Sequence, residues 1–108
     1  MGGTRMESKT KVIDKNEVVI SPIGTIDFSN SQDLKEELLE LFEQNYDKVI
    51  MDFGQVESID SSGLGKLLLF HKKLKEKEGT LVIKNVKSDY IKNMFEMIHL
   101  SKVIEIEE

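Results

Sequence analysis

Residues 59–65 read Ile59-Asp60-Ser61-Ser62-Gly63-Leu64-Gly65, and the fold turns on how that stretch is read. Before it, Lys48 to Phe53 is a short apolar run, predicted to be a strand. Alternation puts Val49, Met51 and Phe53 on one side and Ile50 and Asp52 on the other. Gly54 to Asp60 reads as a loop. After the stretch, apolar residues recur at helical spacing and the run stops at Gly79, so a helix is expected from about Ser62 to Glu78. Aspartate and serine are strong helix caps, because a side-chain oxygen can take an orphan amide of the first turn. The stretch is therefore the junction of a strand–loop–helix unit.

The same alternation extends in both directions. Thr10 to Asp14 and Val18 to Gly24 read as strands joined by the polar turn Asp14-Lys15-Asn16-Glu17, a hairpin. Pro22 cannot donate to a ladder, so it belongs at an edge, a bulge or the strand's end. Ser29-Asn30-Ser31 supplies caps for a helix to about Tyr46, with Leu34, Leu38, Leu41 and Phe42 in one stripe. Thr80 to Lys84 is a further strand. Ser88 begins a third helix carrying Ile91, Met94, Phe95 and Ile98 on one face, and Val103 to Ile106 is a last strand. Strands separated by helices need crossovers, which makes them largely parallel and right-handed. The expectation is a single α/β domain over residues 10–108, with a mixed, mostly parallel sheet of four to five strands packed with three or more helices. Residues 1–9 are expected to be a flexible N-terminal segment, with Gly2-Gly3-Thr4 of the kind that cloning leaves behind.

Composition narrows the function. A length of 108 residues corresponds to one domain. With 15 basic and 20 acidic residues the net charge is −5, which argues against non-specific nucleic-acid binding. The chain has no cysteine, which excludes disulfides, thiol catalysis and cysteine-ligated zinc. His71 and His99 lie far apart, so no histidine metal centre is expected. The longest apolar stretch, Leu67 to Phe70, is too short to span a bilayer, and no apolar run follows the N-terminus as in a signal peptide. A cytoplasmic protein without membrane contact is expected. Ile59 stands where a Gly-x-Ser-x-Gly nucleophile elbow needs its first glycine, and no phosphate-binding loop is present. No catalytic residue and no cofactor are expected.

Within residues 59–65, two first-turn glycines each cost a helix about 1 kcal/mol relative to alanine. Close approach of a backbone or a ligand would offset that cost. Amides at a helix start also favour anions. A serine there could carry a phosphate, which adds about −1.5 to −2 charges. Asp60 and Asp27 would oppose that charge, which suits a reversible mark. Taken alone, Asp-Ser-Ser-Gly is also an ordinary helix cap.

With its context, the stretch resembles the hallmark of the STAS domain, specifically that of bacterial anti-sigma factor antagonists. Val49-Ile50-Met51-Asp52-Phe53 resembles the strand before the motif, and Ser58-Ile59 its apolar lead-in. Gly24-Thr25-Ile26-Asp27 resembles the family's Gly-x-Leu/Ile-Asp segment. Gly79 to Ile83 resembles the strand after the second helix, and Met97 to Ile104 the C-terminal end. The likeness covers about residues 10–106. It implies a STAS-type fold in which Ser61 is phosphorylated by a partner kinase, Ser62 is a structural cap, and Asp27 and Asp60 lie near the phosphosite. It further implies a partner switch. The unphosphorylated domain binds a serine kinase that is also an anti-sigma factor and so frees a sigma factor. Phosphorylation of Ser61 blocks binding and a serine phosphatase resets it. ATP is used by the kinase rather than bound by this chain. The alternative within the family is an interaction subunit of a stress-signalling or transport complex that is not phosphorylated. Ser21-Pro22, Phe28 and Lys66 depart from the family pattern and leave the partner's identity open.

A helical projection from Leu64 places Leu64, Leu67, Leu68, His71 and Leu74 on one side, with Phe70 at its margin and Leu69 exposed. Leu69, with Lys66 and Phe70, is therefore a candidate partner surface, to which Phe28 is added, and His71 is expected to be a core or half-buried histidine. Ser31 to Asp47 carries six acidic residues and one lysine, whereas Lys66 to Glu78 carries five lysines and two glutamates. A basic second helix could steer an acidic partner.

Overall fold

In the computed structural model, which describes residues 6–107, strands β1 (Glu7–Val12) and β2 (Glu17–Ile26) form the expected antiparallel hairpin. β2 is long enough to serve two further partners in parallel. Its first part, Glu17 to Ile20, pairs with β3 (Lys48–Asp52), and its last part, Gly24 to Ile26, pairs with β4 (Val56–Ile59). β5 (Thr80–Lys84) lies beside β3, and β6 (Glu105–Glu107) beside β5, both parallel. Helices α1 (Ser31–Glu43), α2 (Ser61–Glu76) and α3 (Asp89–Met97) make the crossovers, and a short 3-10 turn (Leu100–Lys102) precedes β6.

The mixed, mostly parallel sheet is as expected, but it has six strands rather than four to five. The additional one is β4, inside the expected loop. Pro22 falls between the stretch of β2 paired with β3 and the stretch paired with β4, where its missing N–H breaks neither parallel ladder. Just beyond it the register shifts at a bulge, and Gly24 takes φ +93°, a backbone region open to glycine. The N-terminal boundary also moves. β1 begins at Glu7 and Met6 is buried, so residues 6–9 belong to the fold, while residues 1–5 lie outside the described residues.

Alternation places Val18, Ile20, Val49, Met51, Leu81 and Ile83 in one core with Leu34 and Leu38 of α1, Leu67 and Leu74 of α2, and Ile91 and Phe95 of α3. Each such side chain contributes about 1.5–3 kcal/mol on full burial. Ile50 and Val82, neighbours in register, are buried but lie outside that core, on the opposite side of the sheet. Phe53 and Phe95 close the core with ring centroids 6.0 Å apart. The α3 stripe ends sooner than expected. His99 adopts a left-handed conformation (φ 55°) just past the helix, and Ile98 is exposed.

The phase of α2 differs from the projection. Its buried residues are Gly63, Leu67, Phe70 and Leu74. Phe70 is therefore in the core, 4% exposed, rather than on an exposed face, whereas Leu68 is exposed. The cause is Gly63. A Cβ there would sit 2.6 Å from Ile26 Cγ2 and 2.9 Å from Ile59 Cγ1, so the helix is seated on the sheet through a residue with no side chain. Part of the basic run on α2 is structural: Lys77 Nζ donates to the Phe42 carbonyl at 3.0 Å and lies 4.0 Å from the Phe42 ring centroid, tying α2 to α1.

His71 is half-buried, with its Nδ1 buried and without a hydrogen-bond partner. Desolvation, followed by the charge of Lys75, holds its pKa below the ordinary 6.5. The unfolded chain thus binds this proton more readily than the folded one. Stability from this group is complete above pH 6.5 and is lost as the pH falls below it. The urea midpoint should be lower at acid pH, and His71→Gln should reduce that drop. An unchanged pH profile in the variant would locate the loss elsewhere.

Candidate functional site

Ile26 and Ile59 are partners in the β2–β4 ladder, so the chain leaves the sheet side by side at Asp27 and Asp60. The Asp60 amide donates to the Ile26 carbonyl at 3.0 Å, continuing the pairing by one residue. Asp60 then caps α2. Its Oδ1 accepts the Gly63 amide at 3.0 Å and the Ser62 hydroxyl at 2.7 Å, and its Oδ2 accepts the Phe28 amide at 3.1 Å. The Ser62 hydroxyl and then the Gly63 amide hold its pKa below 3.8, against a smaller opposing effect of desolvation. The stabilisation is complete above that pH and fades as the carboxylate protonates below it.

Asp27 has a different task. Its Oδ1 accepts the Ser29 amide at 2.9 Å and the Ser29 hydroxyl at 2.6 Å. Asn30 is buried, accepts the Asp27 amide at 2.9 Å and donates to the Thr25 carbonyl at 2.8 Å. The loop between β2 and α1 is thereby fixed, and it holds the Phe28 side chain outward, 81% exposed. Asp60 links this loop to the start of α2.

Ser61 occupies the first helical position and is exposed. None of the hydrogen bonds above uses its hydroxyl, whereas that of Ser62 is committed to Asp60. Ser62 therefore braces the cap, and Asp60 itself is the N-cap. At the helix start Asp60 already takes one of the first-turn amides, that of Gly63, so a phosphate on Ser61 would share the first turn with this carboxylate.

The two motif glycines separate. Gly63 is required by close packing, but a Cβ on Gly65 would meet nothing within 4 Å. Gly65 and Leu68 lie four and seven residues beyond Ser61 and so share its face, and Leu64, half-buried, packs against the core from the same turn. Ser61, Gly65 and Leu68 thus share one face of α2, and the exposed Phe28 is tied to the same cap through its amide on Asp60. Leu68 was missed in the sequence, although its spacing from Ser61 is a usable signal. Lys66 and Leu69 turn instead toward α1, where they line a groove. Among the described residues no group of histidine, aspartate and glutamate is arranged to hold a metal ion, and no helix is long and apolar enough to cross a membrane.

The anti-sigma-B factor antagonist of Bacillus subtilis is 30% identical over 93 residues, which is 86% of this chain and 84% of that protein. BtrV of Bordetella bronchiseptica is 30% identical over 74 residues, 68% of this chain and 63% of BtrV, so the match spans less than two thirds of that relative. The Bacillus protein SpoIIAA shares the fold. Its unphosphorylated form gives a TM-score of 0.74 at 18% identity, covering 94% of this chain and 88% of that one. Its phosphorylated form gives 0.72 at 20% identity, covering 93% and 90%. A STAS domain family model matches residues 8–108, from the second residue of β1 past the end of β6, and the chain belongs to the STAS domain family.

Proposed function

We propose that the chain is an anti-sigma factor antagonist that binds its partner through the surface around Ser61 and is switched off by phosphorylation of that serine. The observation that carries this reading is the exposed Ser61 hydroxyl at a capped helix start, unused by the cap and on the helix face it shares with Gly65. The relative from Bacillus subtilis, matched over most of both chains, is named an anti-sigma-B factor antagonist. SpoIIAA, similar in fold, exists in phosphorylated and unphosphorylated forms.

Physical chemistry supports a modified site over a catalytic one. A serine nucleophile needs a neighbouring base. The nearest carboxylate along the chain, Asp60, already accepts three hydrogen bonds and has a lowered pKa, which makes it a poor proton acceptor. The chemistry is therefore supplied by partners: a serine-kinase anti-sigma factor that brings ATP, and a serine phosphatase that reverses the mark. The Gly65 position strengthens the reading. A helix glycine with nothing to pack against costs about 1 kcal/mol, and a partner backbone approaching that face accounts for it.

Incubation with the host's serine-kinase anti-sigma factors and ATP, followed by mass spectrometry of the peptides, tests the reading. The expected result is a single phosphate on Ser61 and none on Ser62, whose hydroxyl is tied to Asp60 at 2.7 Å. No label on Ser61 and no complex with any of these kinases would leave a constitutive STAS interaction subunit as the better description.

A further inference from the structure

The groove between α1 and α2 is separate from the cap surface. It encloses about 420 Å³. Leu39 of α1 and Leu69 of α2 line it, with Phe70 at its base. Leu69 is 58% exposed although it borders buried Phe70. The walls are basic on both sides, with Lys35 from α1 and Lys66 and Lys73 from α2, and Glu76 is the one acidic residue on the lining. Lys73 is held toward the seam, 5.4 Å from the Phe42 ring centroid. A positive apolar trough on a chain of net charge −5 is a local reversal of sign.

We propose that this groove is a second docking surface, which takes an acidic amphipathic helix of a partner protein with one large apolar side chain seated over Leu69. Lys66 and Lys73 are seven residues apart, about 10 Å along the helix at 1.5 Å per residue. That matches acidic residues two turns apart on a facing helix, the pattern of helix-in-groove recognition. A single-headed anionic lipid would engage one end of such a row. A second copy of this chain is a poor occupant. Its acidic helix α1 presents Gln32, Glu36, Glu40 and Glu43 outward and keeps Leu34, Leu38 and Leu41 in its own core, so it offers charge without an anchor. Leu69 is eight residues beyond Ser61, about 12 Å along α2, so occupancy of the groove is independent of the state of Ser61.

The probe is a fluorescein-labelled helical peptide with a leucine stripe flanked by glutamates, accompanied by a leucine-to-alanine version and a glutamate-to-lysine version. Binding is read by anisotropy and by amide chemical shifts on the full chain. The parent peptide is expected to shift amides of α1 and α2 along the seam. Leu69→Asp, and separately Lys66→Glu with Lys73→Glu, should each weaken it about tenfold or more, as loss of a central anchor or of paired charge does. Ser61→Asp should change it less than about twofold, equivalent to under 0.5 kcal/mol. Leu69→Ala serves as the milder variant, with the circular dichroism spectrum as the control for folding. The proposal is overturned if Leu69→Asp binds as wild type, if the shifts centre on Ser61, if the charge-reversed peptide binds as well, or if no acidic peptide binds at millimolar concentration. Leu69-dependent binding to phosphatidylglycerol vesicles in place of the peptide, or a concentration-dependent dimer through the seam, would overturn it as well.

Discussion

Replacing Ser61 by aspartate is expected to weaken binding of the anti-sigma partner about a hundredfold or more, equivalent to about 2.7 kcal/mol. A surface fitted to a neutral hydroxyl must desolvate the new charge on binding, and an unpaired buried charge costs several kcal/mol. The chain itself offers little compensation. The Gly63 amide is already bonded to Asp60, and Asp60 and Asp27 add like charge beside it. The fold should be unaffected, because Ser61 is exposed and outside the cap's hydrogen bonds. Ser61→Ala should bind like the wild type and resist the kinase. Titration calorimetry of the three proteins against the partner, with melting curves as a control, checks the prediction. An aspartate variant that binds normally would remove the switch from the proposal.

The two glycines of the motif should respond in opposite directions. Gly63→Val is expected to destabilise the domain by about 2–3 kcal/mol, the upper part of the usual range for overpacking. For a domain of this size, that lowers the melting temperature by roughly 10–20 °C. The reason is local: the added atoms would meet Ile26 and Ile59 side chains of two paired strands at 2.6–2.9 Å, where neither strand can retreat without breaking the ladder that positions Asp27 and Asp60. Gly65→Ala should do the reverse and raise stability by up to about 1 kcal/mol, since it gains helix propensity and meets no neighbour. The same methyl stands on the face shared with Ser61 and should weaken partner binding. A Gly65→Ala protein that is both more stable and fully competent would show that the partner does not use this face.

The sequence carried α1, β5, the start of α3 and the hairpin, because each has a clear period bounded by polar or glycine residues. β4 was not legible. Val56-Glu57-Ser58-Ile59 has only two apolar residues, and its strand character comes from pairing with Gly24 to Ile26, more than thirty residues away. The phase of α2 was lost for a related reason. A hydrophobic projection counts side chains, and the residue closest to the sheet is Gly63, which has none. The wheel therefore centred on Leu64, and Leu68 and Phe70 exchanged places between core and surface. The cap was more legible than its surroundings, since an aspartate at the helix start follows from residue type and position. What the sequence could not supply was the division of labour between Asp60, which holds the helix start, and Asp27, which holds the loop.

Asp60 also couples two segments far apart in the chain. One carboxylate accepts from Phe28, on the loop after β2, and from Gly63, in the first turn of α2. Breaking that link would free both amides together, so their protection against solvent deuterium should rise and fall in step. A partner docking on the proposed surface would meet an epitope already in its final shape, with little ordering left to be done on contact. Association should then show the heat-capacity change of surface burial alone, without the further contribution of a segment that folds as it binds.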